Sequence, residues 1–464
     1  MKSSAVQGLA HRIRSAGVDR AVFFSLVNRA AAITFSIVTL VLVLTYFAPD
    51  RQGYYYTFAS LLLLQTFLDL GMGNVLAQFV SHEWAGLHLD ESAHIVGDAV
   101  ALSRLGGLVR VGLRWYLYAA GVFFLAVGLA GTFLLTRHQV PDGVLVPWWL
   151  VCAATAVSLL QWPLRSLLEG SNQVARVQRI ATIILACSSM AGWLAILGGL
   201  QLYAVALTAG LTAVLALALF GVACTPFLRL AGRNAEAHGF SWREEFWPQQ
   251  WRIAVSWMSG FCVFQSFVPI LFYFQGAVIA GQMGASLQIY NAVNTVALSW
   301  INPKGPLMGM MGARGQIPEL RATVRRTLRY STVAAICGGV LVLAGFYLME
   351  TIHFKADRFA GMASLAVLMA TAVIMQRSNV ETLAIRFQKI EPFIVNSVVS
   401  AVLVLISNIV MSRYFGVTAV CAGFAAVMAA VTVPWIHSIY EARADSMGRS
   451  ASYVRQPTST PAGN

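Results

Sequence analysis

A few ionisable side chains stand inside long apolar runs, and their chemistry is the first thing the sequence offers. Arg29 is flanked by apolar residues on both sides, 21–27 before it and 30–47 after it. Asp69 lies deep in its segment within QTFLDLGMGN, with Gln65 one turn earlier and Gly71 and Gly73 just beyond. Arg165 and Glu169 close one apolar run in RSLLE, and Arg377 and Glu381 close another in RSNVE, at an offset of 212 residues for both pairs. A charge at membrane depth is costly, and it marks a ligand, an ion or a pairing partner. A guanidinium can offer a phosphate bidentate hydrogen bonds as well as charge, or its stem can extend so that the head anchors at the lipid headgroups. A carboxylate such as Asp69 can pair with an arginine such as Arg29, or it can bind a proton or a sodium ion.

Helical spacing places Ser25, Arg29, Ala32, Ser36 and Thr39 on one stripe of small or polar residues, a stripe that faces protein or water. Asn291, Thr295 and Asn302 fall on roughly one face of another run, which ends at NPKGP. They are expected to line a polar cavity or to bond between helices. SHEWAGLHLDESAHIVGD carries His82, His88 and His94 among acids, but histidines six apart point in different directions on a helix. HExxH fails because position 86 is Gly. The reading is a solvated cytoplasmic loop with no metal. Walker A, the dinucleotide fingerprint and the GxSxG elbow are all missing from the sequence. We therefore expect neither an enzyme nor a cofactor.

The elements that must position these residues are membrane helices. The 464 residues are 58% hydrophobic and 11% charged, with a mean hydropathy of +0.68, against about a quarter charged in an ordinary soluble domain. A spanning helix needs about 20 apolar residues, and twelve segments qualify: 22–47, 54–79, 115–136, 147–168, 179–199, 202–222, 253–274, 283–303, 329–349, 360–380, 393–412 and 417–438. With the N-terminus inside, Lys and Arg number 26 on the inner side and 5 on the outer. This asymmetry follows the positive-inside rule and puts both termini in the cytoplasm. The net charge of +13 is then topological, and no nucleic-acid partner is implied. The six cysteines have no CxxC spacing, so neither a disulfide framework nor a zinc site is expected.

The predicted order is a cytoplasmic segment 1–20, an N-lobe of six helices over 21–224, an interfacial linker 225–252 containing FSWREEFWPQQWR, a C-lobe of six helices over 253–440, and a disordered cytoplasmic tail 441–464. RSLLE and RSNVE close the fourth and tenth helices, equivalent positions in a six-plus-six arrangement. Six helices return the chain to its starting side, so the halves would be parallel repeats of the kind found in alternating-access transporters.

TYFAPDRQGYYYTFASLLLLQTFLDLGMGNVLAQF, 45–79, resembles the first outer loop and second helix of the polysaccharide (O-antigen type) flippases, in the superfamily that includes MATE-type exporters. The resemblance rests on Pro49, Asp50, Gly53, Tyr54, Asp69, Leu70 and Gly71. LRSLLEGSNQVARVQRI, 164–180, is similar to the family's basic loop after the fourth helix, and RYFGVTAVCAGFA, 413–425, to its turn into the last helix. The resemblance implies an all-α, MATE-like fold of about twelve transmembrane helices in two lobes around a central cavity, in a bacterial cytoplasmic (inner) membrane. It implies flipping of polyprenyl-diphosphate-linked oligosaccharide to the outer leaflet, with membrane lipids and other polysaccharide assembly proteins as partners. Arg29, and Arg165 and Arg377 at the inner mouth, would serve the diphosphate, and Asp69 the coupling ion. Ser25, Ser36, Gln65, Asn291, Thr295 and Asn302 would line the cavity. The long His- and acid-rich loop departs from the family pattern. A MATE-like drug or small-lipid exporter and a membrane-embedded glycan polymerase or ligase remain as alternatives.

Overall fold

A computed structural model describes residues 20–69, 71–90, 94–137, 141–231, 255, 258–260, 262–388 and 392–454. The chain divides into two compact units, Met1–Trp257 and Met258–Asn464. The interfacial aromatic residues expected in the linker, Trp242 to Trp251, lie outside the described residues, as do the segment before Arg20 and the end after Val454.

The protein is an all-helical polytopic membrane protein. Among the described residues, nine helices are long and apolar enough to span, and two bent pairs raise the number to as many as eleven. The one expected span outside this set, the eighth at 283–303, lies in the helix Ala277–Ile301 up to Ile301. It falls short of the others in apolar character because Gln288, Asn291, Asn294 and Thr295 interrupt it.

Both bends have local causes. In the first unit Pro49–Asp69 meets Met72–Trp84 at 41°, and between them Gly71 adopts a left-handed φ of 73°, which a side-chain-bearing residue resists. In the second unit Met258–Gln265 meets Phe267–Gln275 at 44°. Pro269 stands in the first turn of the latter helix; in an unbroken helix its ring would clash with the Gln265 carbonyl four residues back, and the bend relieves that clash.

In the first unit, the helix Ala99–Val122 widens into a π turn, Phe123–Val127, before Gly128–Leu135. The Gly128 carbonyl just after that turn accepts the Trp148 indole N–H at 3.0 Å and the Thr132 hydroxyl at 2.8 Å. Trp148 is fully buried and tilts against Phe58, so one aromatic locks three helices. In the second unit a core joins Phe267, Tyr290, Met369, Val404 and Phe424, and the last helix carries a π turn, Met428–Thr432.

Two expectations need correction. The His-rich stretch contains an antiparallel hairpin, with Leu87–Leu89 paired to Ile95–Gly97, so it is not a plain solvated loop. Several of its acids are structural. Asp98 caps the following helix by accepting from the Ala101 N–H at 2.9 Å, and Glu83 pairs with Arg104 at 2.9 Å. The polar tail expected from Glu441 is helical as far as Val454. Ile436, Tyr440 and Ala444, one turn apart, are all buried, and Arg321 holds Glu441 at 3.1 Å and Asp445 at 2.5 Å.

Candidate functional site

The chemistry of the first unit collects around Asp69. The short helix Gln65–Asp69 ends at the Gly71 bend, and the carboxylate is 4% exposed. Its Oδ1 accepts the Tyr116 hydroxyl and the Gly73 N–H at 3.2 Å. A Cβ on Gly73 would stand 3.3 Å from both the Ser166 and Tyr116 hydroxyls and 3.5 Å from Asp69 Oδ1, so a glycine keeps this polar cluster closed. The Trp115 indole donates to the Leu68 carbonyl at 3.2 Å, which pins the same backbone. Asp69 is thus held by a phenol and an amide, not by Arg29.

Arg29 sits near the start of the apolar span Val27–Tyr46. It is exposed and makes no ion pair or hydrogen bond with the described residues. Its neighbours hold the helix to Val174–Leu197: Asn28 donates to Gln178 at 2.9 Å, and the Trp193 indole donates to Thr39 at 2.9 Å. Along the expected stripe Ala32 and Ser36 are exposed and Ser25 is half-buried.

The two copies of the Arg-x-x-x-Glu repeat make the same contact. Arg165 Nε is 2.9 Å from Glu169 Oε1, and Arg377 Nε is 3.3 Å from Glu381 Oε1. Their surroundings differ. The Glu169 side chain is 32% exposed, whereas that of Glu381 is 3% exposed and also lies 2.9 Å from His437 Nδ1. Glu381 Oε2 is buried with no hydrogen-bond partner among the described residues. Gln376, one residue before Arg377, is fully buried and donates to Asn294 at 3.2 Å and to the Ala372 carbonyl at 2.7 Å. The polar cluster that ends this apolar run therefore faces two ways, with Gln376, Ser378 and Glu381 inward and Arg377 outward.

Of the remaining expected residues, Gln65 is half-buried, and Asn291, Thr295 and Asn302 are exposed. The Thr295 hydroxyl is occupied by the Asn291 carbonyl at 2.8 Å. The residues the sequence did not bring forward are Tyr116, Ser166, His437 and Asn294. A histidine in an apolar run opposite an unexplained glutamate is a signal for His437. Tyr116, 47 positions from Asp69, gives none.

No protein-family model matches the chain, and no curated protein does. Solved structures do match. An inward-facing MATE family multidrug resistance transporter of the MOP superfamily has a TM-score of 0.64 at 11% identity, over 90% of this chain and 96% of that one. The MATE multidrug transporter DinF-BH has a TM-score of 0.63 at 15% identity, over 92% and 95%. The lipid II flippase MurJ, in an inward closed conformation, has a TM-score of 0.60 at 10% identity, over 95% and 94%. The chain has the fold of these transporters over about nine-tenths of its length.

Proposed function

We propose that the protein is a flippase of the MATE-like exporter class, moving polyprenyl-diphosphate-linked oligosaccharide from the inner to the outer leaflet by ion-coupled alternating access. The observation that carries this reading is the contrast between Arg29 and the buried acids. Arg29 offers an exposed guanidinium with no partner among the described residues, at the edge of a span. Asp69 and Glu381 are buried and bonded within their own units. An exporter of cationic drugs needs negative charge open to a bulky cargo, and these enclosed carboxylates leave room for no more than a proton or a small ion. A diphosphate, which must exchange its hydration for fixed donors, suits a guanidinium that has not spent its own. Likeness to both drug exporters and a lipid II flippase fits a fold that carries either cargo.

In this mechanism Arg29 holds the diphosphate, Arg165 and Arg377 draw it inward from the cytoplasmic face, and Asp69 binds the coupling ion. Ser25, Ser36 and Gln65 supply polar side chains in the first unit, and Asn291, Thr295 and Asn302 supply them in the second. The test is flipping of a lipid-linked oligosaccharide in proteoliposomes, with folding of each variant checked by its elution as a monodisperse species. Arg29→Ala is expected to abolish flipping, and Arg29→Lys to restore it in part because the fork geometry is lost. Full activity of a well-folded Arg29→Ala protein overturns the assignment.

A further inference from the structure

The 35-residue helix Ile317–Thr351 is about 52 Å long at 1.5 Å per residue, well beyond the roughly 30 Å of a hydrocarbon core. Counting back from Thr351, about 22 residues reach across that core, so Tyr330 stands at its edge and Arg325, Arg326 and Arg329 at headgroup level. These three arginines are exposed. None makes an ion pair with a described residue. Arg321, one turn earlier, is by contrast neutralised by Glu441 and Asp445.

Aromatic rings mark the same level. Trp300, on the helix Ala277–Ile301, tilts against Tyr330 with ring centroids 5.8 Å apart, and the Arg326 guanidinium lies 5.7 Å from the Tyr330 centroid. Trp300 and Tyr330 are about half exposed, as amphipathic rings at a membrane interface are. Beyond them the helix presents a continuous apolar face, with Val333, Ile336, Val340, Leu341 and Leu348 all exposed. Most of this apolar stretch is unburied. The two helices approach closely at Gly338, where a Cβ would stand 3.1 Å from Val293, so the face is a fixed surface of two packed helices.

We propose that Arg325, Arg326 and Arg329, with Trp300 and Tyr330, form a binding site for the phosphate-bearing headgroup of an anionic membrane lipid, whose acyl chains lie along Val333 to Leu348. Three uncompensated guanidinium groups within two turns supply charge and phosphate-matched donors, and basic clusters at this level recruit anionic lipids. The apolar face that continues from the arginines selects a lipid over a free anion. Such a lipid is a resident ligand, distinct from the cargo held at Arg29.

The test is intact-protein mass spectrometry of the full chain released from detergent doped with phosphatidylglycerol or phosphatidylcholine. The wild type is expected to retain phosphatidylglycerol preferentially. The triple variant R325Q/R326Q/R329Q should lower that preference roughly tenfold or more, the charge-preserving R325K/R326K/R329K should keep most of it, and R176Q/R179Q/R229Q, which removes equal charge elsewhere, should leave it unchanged. An equal loss in that control, or displacement of the lipid by excess inorganic phosphate, overturns the proposal. Brominated phosphatidylglycerol should also quench a component of the wild-type tryptophan fluorescence that is missing from Trp300→Phe. This readout holds even if the glutamine variant does not fold, and an unchanged quenching profile in Trp300→Phe removes the site.

Discussion

His437 Nδ1 lies 2.9 Å from Glu381 Oε1, and this contact separates the second copy of the Arg-x-x-x-Glu repeat from the first. Glu169 shares its carboxylate with Arg165 and solvent, whereas Glu381 is buried under the last helix and fastened to it.

A double-mutant cycle between Glu381→Gln and His437→Ala is therefore expected to give a coupling of about 1.5–3 kcal/mol, the range for a hydrogen bond to a charged group. The corresponding cycle for Arg165 and Glu169 should give no more than about 0.5 kcal/mol, as exposed i,i+4 pairs do. Denaturation in detergent supplies both numbers. Equal couplings would show that burial of Glu381 adds nothing to the pair.

Tyr116 and Gly73 both donate to Asp69 Oδ1, so the carboxylate has a built environment and its removal should be functionally specific. Asp69→Asn keeps the shape but not the ionisable group. It is expected to abolish gradient-driven flipping while leaving binding of the lipid-linked oligosaccharide intact. Tyr116→Phe should lower stability by about 1–3 kcal/mol, because it takes one donor from a buried acceptor. Normal flipping by a folded Asp69→Asn protein would make the carboxylate structural.

Much of the fold was legible because membrane helices announce themselves by length and apolarity. The runs that became Val27–Tyr46, Val174–Leu197 and Leu202–Ala223 needed no more than that. The bend after Asp69 was readable too, since Gly71 and Gly73 stand beside it. Partners were not readable. Tyr116 reaches Asp69 from another helix, and His437 reaches Glu381 across 56 positions, distances over which one sequence carries no register. Of the two readings open for Asp69, an arginine partner or a bound ion, the first does not describe its contacts, which are to Tyr116 and Gly73, because charge suggests a partner type but not which side chain the packing delivers. The helix runs on past Glu441 because Ala444 continues the buried line of Ile436 and Tyr440, a single small residue that the polar composition of the tail obscures.

The 26 to 5 asymmetry of basic residues predicts that Arg51 and Lys355 face outward and that Arg104, Arg233 and Lys389 face the cytoplasm. Single cysteines at these positions, in a background without the native six, should react with an impermeant thiol reagent in intact cells at Arg51 and Lys355 only. Labelling of Arg104→Cys from outside would invert the orientation, and with it the direction of transport.

Arg165 and Arg377 should contribute less than Arg29, for a reason visible in their contacts. Each already shares its guanidinium with a glutamate on its own helix, at 2.9 Å and 3.3 Å, so the net charge of each pair is small and its pull on a diphosphate is weak. Arg165→Ala and Arg377→Ala are accordingly expected to slow flipping by about two- to threefold at low ionic strength, with the deficit fading as salt shortens the Debye length from about 30 Å at 0.01 M toward 8 Å at 0.15 M. The loss in Arg29→Ala, which removes direct donors, should persist across the same range. Flipping rates in proteoliposomes at a series of salt concentrations separate the two behaviours. A salt-independent loss in Arg377→Ala, as large as that in Arg29→Ala, would place Arg377 in contact with the diphosphate, and a salt-sensitive loss in Arg29→Ala would reduce Arg29 to a steering charge.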